Sequence, residues 1–216
     1  MVLELKADKN SMLLYVVTDR TWLGDKKLGE QVEDIVKAGA TFIQLREKEL
    51  DFDDFVSEGK AIKEITDRYH IPFVINDNLE VALAVDADGI HVGQSDLDAM
   101  EVRTLIGKDK ILGVSAQTVE QALLAQSKGA DYIGVGAVFS TSTKVDADDV
   151  SYETLQAITR AVSIPVVAIG GINETNLMKL KGSGIDGVAV ISAIFAKPDL
   201  EKATKELLKL SRDMVQ

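Results

Sequence analysis

Ser140, Thr141, Ser142, Thr143 and Lys144 follow directly on the apolar run Tyr132-Ile133-Gly134-Val135-Gly136-Ala137-Val138-Phe139. Four hydroxyls and one ammonium at the end of a buried element offer five donor groups with no competing carboxylate, which suits an anion. An ordinary polar loop has the same composition, so the reading depends on other polar groups aimed at the same place. Arg46 and Lys48, in Gln44-Leu45-Arg46-Glu47-Lys48, add positive charge; salt bridges to Glu47 or Glu49 are the alternative use of them. Asp77 in Asn76-Asp77-Asn78 and Asp96 in Gln94-Ser95-Asp96 can each cap a helix. Together they can hold Mg²⁺, which takes one or two carboxylates plus phosphate oxygens and water. Gly170-Gly171 and Ile191-Ser192 precede apolar segments; they read either as tight turns or as backbone N–H donors to a phosphate. His91, flanked by apolar residues, reads as a hydrogen-bonded core residue, and His70 as a solvent-facing one. Neither has a visible Ser or Cys partner for a hydrolase triad.

The segments around these residues alternate in type. Strands are expected over 13–17, 42–45, 73–75, 89–92, 111–114, 131–135, 166–169 and 187–191. Helices are expected over 29–38, 52–68, 79–84, 99–106, 119–128, 152–161, 174–181 and 200–214. Glycines close several helix-to-strand joints, as in Ala38-Gly39-Ala40 and Lys128-Gly129-Ala130. Eight strand–helix units in 216 residues, about 27 residues each, predict a parallel sheet closed as a (β/α)₈ barrel in one α/β domain. A doubly wound open sheet is the alternative, but no Gly-x-Gly-x-x-Gly follows the first strand to suggest a dinucleotide. In such barrels chemistry sits at the carboxyl ends of the strands, and the polar residues above fall there. Phosphates commonly bind at the loops after strands 7 and 8. Asp19 reads as an inward structural group and Trp22 as a packing residue or part of a lid. The acidic run Asp146-Ala147-Asp148-Asp149 reads as the cap of helix 6.

Composition narrows the partners. A net charge of −11 argues against nucleic acid and anionic membranes, which require a basic face, but admits a small phosphorylated ligand in a locally positive site. With no cysteine there is no disulfide or thiol chemistry, and two histidines make a zinc site unattractive. No apolar run reaches a membrane span and the start lacks the pattern of a signal peptide, so a cytoplasmic location is expected. Residues 1–12 are expected to add a turn or tail to the barrel. Association with further copies of the chain is left open.

Taken together, these segments resemble the thiamine-phosphate synthase family over nearly the whole chain. The resemblance rests on Tyr15-Val16-Val17-Thr18-Asp19, Gln44-Leu45-Arg46-Glu47-Lys48, Ile75-Asn76-Asp77 and Asp88-Gly89-Ile90-His91-Val92-Gly93-Gln94 with Asp96. It continues through Gly113-Val114-Ser115, residues 132–144, Val167-Ala168-Ile169-Gly170-Gly171-Ile172 and residues 187–192. It implies a transferase that joins 4-amino-5-hydroxymethyl-2-methylpyrimidine diphosphate to a (carboxy)thiazole phosphate. The products implied are thiamine phosphate and pyrophosphate, formed with Mg²⁺ through a dissociative substitution. By the same resemblance Gln44, Leu45, Arg46, Glu47, Lys48, Asn76, Ser115 and Lys144 contact the pyrimidine diphosphate. Arg46, Lys48 and Lys144 act on the departing diphosphate. Thr141, Ser142, Thr143, Gly171, Ile191 and Ser192 hold the thiazole phosphate, and Asp77 and Asp96 hold Mg²⁺. Ala137 and Ser140 stand where family members usually have proline, which implies a looser loop. Two other readings remain: a thiazole tautomerase on the same barrel, and a non-catalytic thiamine-pathway protein. The retained charged residues argue against both.

Overall fold

A computed structural model describes residues 7–94, 98–140 and 149–216. Eight short strands, β1 (Leu14–Val17), β2 (Phe42–Leu45), β3 (Phe73–Asn76), β4 (Gly89–Val92), β5 (Ile111–Ala116), β6 (Tyr132–Val135), β7 (Val166–Ile169) and β8 (Gly187–Val190), lie parallel in chain order. β8 pairs with β1, with Leu14 opposite Val188, and the sheet closes into a barrel. The helices are α1 (Leu28–Ala38), α2 (Phe52–Tyr69), α3 (Leu79–Val85), α4 (Ala99–Ile106), α5 (Val119–Ser127), α6 (Tyr152–Ala161), α7 (Ser192–Phe195) and α8 (Leu200–Val215). The open-sheet alternative is thereby excluded.

The strands are buried on both faces, which is why they read as unbroken apolar runs rather than as alternating ones. Successive side chains still take opposite sides. Leu14, Val16, Ile43, Leu45, Ile75, Ile133 and Val135 pack outward against the helices. Tyr15, Val17, Phe42, Val74, Ile111, Tyr132, Val167 and Ala189 fill the interior. Met12 joins this inner cluster fully buried, and the hydroxyl of Thr41 donates to the carbonyl of Ser11 at 2.9 Å. Residues 8–12 are therefore a hydrogen-bonded turn that plugs the amino end of the barrel, not a loose tail.

Two elements depart from expectation. Residues 174–181 do not form an α-helix; only a 3-10 turn, Leu177–Leu180, bridges β7 and β8. The reason lies in the asparagines. Asn173 Oδ1 accepts from the Thr175 N–H at 2.9 Å, and Asn176 Oδ1 accepts from the Asn173 N–H at 2.8 Å. These local bonds compete with helical ones, and two leucines three residues apart suffice to reach the core. The second departure is α7, a single turn between β8 and α8 that carries too few residues to show a helical period. At α6 the cap is Ser151, whose hydroxyl accepts from the Thr154 N–H at 3.1 Å. Asp146 and Asp148 of the acidic run lie outside the described residues. Among the described residues no helix is long and apolar enough to cross a membrane.

Candidate active site at the carboxyl ends of the strands

A cavity of about 460 Å³ opens at the carboxyl ends of the strands. Its wall at β2 is set by a buried threonine. The Thr18 hydroxyl accepts from the Arg46 N–H at 3.0 Å, and the Thr18 N–H donates to the Gln44 carbonyl at 2.9 Å. Alternation then sends Gln44 and Arg46 to the cavity, and Lys48, where the chain bends, lines it as well. Leu45 and Glu47 point the other way. Leu45 is buried among the helices. The Glu47 carboxylate, with only 3% of its side chain exposed, accepts from Arg20 Nε at 2.9 Å, while Arg20 Nη2 reaches Glu58 Oε2 at 2.6 Å. Burial pushes the Glu47 carboxyl above the usual carboxylate range, and Arg20 offsets that shift only in part. Neither Leu45 nor Glu47 lines the cavity. The same pairing occupies Glu47, one of the two carboxylates that could have taken up Arg46 and Lys48. Among the described residues neither cation has an ion-pair partner, and both line a concave site, where an anion is attracted most strongly.

Asn76 and Asp77 enter from β3. Asp77 has φ +61°, a left-handed conformation that Asp tolerates better than most residues, and its Oδ2 accepts from Asn76 Nδ2 at 2.6 Å. Ser115 enters from β5; its carbonyl accepts from Gln94 Nε2 at 2.6 Å. Its hydroxyl lies 3.0 Å from His91 Nε2. His91 is a hydrogen-bonded residue, as its apolar flanks suggested, yet it also lines the cavity; His70 is exposed. Asp19 does not face the cavity: its carboxylate accepts from the Thr21 N–H at 2.8 Å and caps the turn Arg20–Trp22. Trp22 packs against the outer core.

The loops after β6, β7 and β8 form the remaining wall. Gly171 has φ +64°, and a Cβ there would fall 2.6 Å from the Ser140 carbonyl oxygen, so only glycine fits. The Val138 and Phe139 N–H groups donate to the Ile169 and Gly170 carbonyls at 3.0 and 3.1 Å. Val138 and Phe139 are therefore tied to the end of β7. Ile191 and Ser192 begin α7, whose first N–H groups have no intrahelical acceptor. The cavity thus gathers Gln44, Arg46, Lys48, Asn76, Asp77, Ser115, Gly171, Ile191 and Ser192. Asp96, Thr141, Ser142, Thr143 and Lys144 lie outside the described residues. Among the described residues no group of three or more His, Cys, Asp or Glu converges on one point. Sequence reasoning missed Tyr15 and Val17 as lining residues; their signal was position, since both fall on the inward phase of β1.

Residues 14–194 match the family model described as thiamine monophosphate synthase. A thiamine-phosphate synthase of Clostridium tetani is 56% identical over 194 residues, covering 90% of this chain and 93% of that protein. One from Ruminiclostridium cellulolyticum is 55% identical over 197 residues, covering 91% and 94%. The solved thiamine phosphate pyrophosphorylase from Pyrococcus furiosus superposes with a TM-score of 0.88 at 40% identity, over 96% of this chain and 99% of that one.

Proposed function

Because the chain belongs to the thiamine monophosphate synthase family, a family of transferases, we propose that it joins the pyrimidine diphosphate to the thiazole phosphate at this cavity. The observation that carries the reading is the pairing of Glu47 with Arg20, which leaves Arg46 and Lys48 to a ligand. A diphosphate leaving group gains negative charge as its C–O bond breaks. Two cations at a concave mouth stabilise that charge without having to reorganise. Thiazole phosphate fits the other wall, where Gly171 and the first turn of α7 bring backbone N–H groups. In this reading Thr141, Ser142 and Thr143 hold the thiazole phosphate. Lys144 acts on the departing diphosphate in the same reading.

The donor set suits a hard divalent cation. Asp77 offers an exposed carboxylate at the mouth, both His91 nitrogens already have partners, and ligand phosphates supply further oxygens. Mg²⁺ held by Asp77 and Asp96 would neutralise the leaving diphosphate when bound. Nothing in the wall calls for a strong base. The chain's own task is to hold two reactants in line and keep water from the reacting carbon.

A tautomerase acting on thiazole phosphate alone would have no use for Arg46, Lys48 and Asp77 in one wall, and a binding protein would not need two adjoining anion sites. Incubation with both substrates and Mg²⁺ tests the reading, with thiamine phosphate followed by mass spectrometry. Thiamine phosphate formed only when both substrates are present is the expected result. Its absence with folded protein would overturn the assignment.

A further inference from the structure

Beneath the cavity a continuous chain of hydrogen bonds crosses the barrel interior. Gln44 Nε2 donates to Tyr15 Oη at 2.5 Å, and Tyr15 Oη lies 2.7 Å from Tyr132 Oη. Tyr132 Oη lies 2.9 Å from His91 Nδ1, and His91 Nε2 lies 3.0 Å from Ser115 Oγ. Both phenols are fully buried, and burial pushes both well above the usual tyrosine range, so each keeps its proton.

The direction of the chain follows from its first member. An amide N–H can only donate, so the Tyr15 oxygen accepts and its own hydrogen goes to Tyr132. The Tyr132 hydrogen then goes to His91 Nδ1. That nitrogen must be an acceptor, so the ring carries its proton on Nε2 and gives it to Ser115 Oγ. The Ser115 hydrogen is left to point into the cavity. Space for this arrangement is provided at Gly113, where a Cβ would fall 2.1 Å from the Tyr132 ring that lies across it.

We propose that Tyr15, Tyr132 and His91 are positioning residues that fix Ser115 as a hydrogen-bond donor to the ligand. The floor of the cavity then presents a donor at Ser115 and requires an acceptor on the ligand there, a ring nitrogen or an ester oxygen. A hydroxyl without such a relay adopts either role. The consequence for turnover rests on the synthase reading above; the polarity of the chain does not.

The experiment has two arms. In the first, His70→Asn leaves His91 as the single histidine; Asn suits φ +56° at that exposed helix end. Two-bond ¹H–¹⁵N correlation of the labelled ring should show the Nε2–H tautomer, without substrate, and Tyr132→Phe should bring in the other tautomer. An Nδ1–H or doubly protonated ring in the parent would overturn the proposal, and this readout stands even if Tyr132→Phe fails to fold. In the second arm Tyr132→Phe should lower kcat about tenfold with little change in KM, the size of one lost hydrogen bond. In a Ser115→Ala background it should cost nothing further. An equal loss in both backgrounds, or none in the first, would contradict a role through Ser115. A parent without synthase turnover but with the Nε2–H tautomer would sink the functional reading and leave the relay standing.

Discussion

Arg20 Nε meets the Glu47 carboxylate at 2.9 Å on the outer side of β2, and that contact determines what Arg46 and Lys48 are free to do. Glu47 sits between the two cations in sequence. Without Arg20 it would be a buried carboxylate whose nearest compensation in sequence lies on either side of it. Arg20→Met should therefore destabilise the protein by about 1–2 kcal/mol, because the Glu47 side chain is covered while Arg20 stays partly in solvent, which screens the pair. It should also raise KM for the diphosphate substrate. Thermal melting and steady-state kinetics on the same sample test this; an unchanged melting temperature would show that Glu47 needs no partner.

The raised carboxyl of Glu47 sets a pH dependence. A group whose folded pKa lies above its unfolded value contributes most to stability at low pH and loses that contribution as pH rises through the folded pKa. Glu47→Gln removes this titration. Its melting temperature relative to the parent should climb as pH rises from about 4.5 toward neutrality. A difference independent of pH over that window would contradict the burial effect.

Gly171→Ala places a methyl 2.6 Å from a backbone oxygen at a left-handed position. We expect a loss of about 1–3 kcal/mol in stability and a raised KM for thiazole phosphate, with KM for the pyrimidine diphosphate little changed. Parallel KM measurements decide it. An effect confined to the pyrimidine substrate would move Gly171 to the other subsite.

Much of this was legible in the chain. Eight repeats of apolar run and amphipathic segment dictate a parallel barrel, and the barrel dictates that residues 46, 48, 77, 115 and 171 gather at one end. What the chain did not disclose is direction within a motif. Leu45 and Glu47 belong to the same five-residue segment as Arg46, yet pleating turns them outward, and only the packing of α2 shows that Arg20 and Glu58 are waiting for Glu47. The Tyr15–Tyr132–His91 chain was hidden for a related reason. Its members are 117 and 41 residues apart in sequence, and hydroxyls in apolar strands look like ordinary core aromatics. The expected helix over 174–181 failed because Asn173 and Asn176 close their own turns.

Asp77→Asn keeps the size of the side chain and removes its charge. On the reading above, half-maximal activity should need at least about tenfold more Mg²⁺, with folding intact by circular dichroism. An unchanged Mg²⁺ titration would remove Asp77 from the metal site.

On the proposed function, Arg46, which Glu47 leaves unpaired, stabilises the departing diphosphate. The initial rate of pyrophosphate release at saturating substrates and Mg²⁺, in the parent and in Arg46→Ala, measures it directly. The parent should release pyrophosphate only when both substrates are present, and Arg46→Ala should be about a hundredfold slower. An Arg46→Ala enzyme that releases pyrophosphate at the parent's rate would contradict the account.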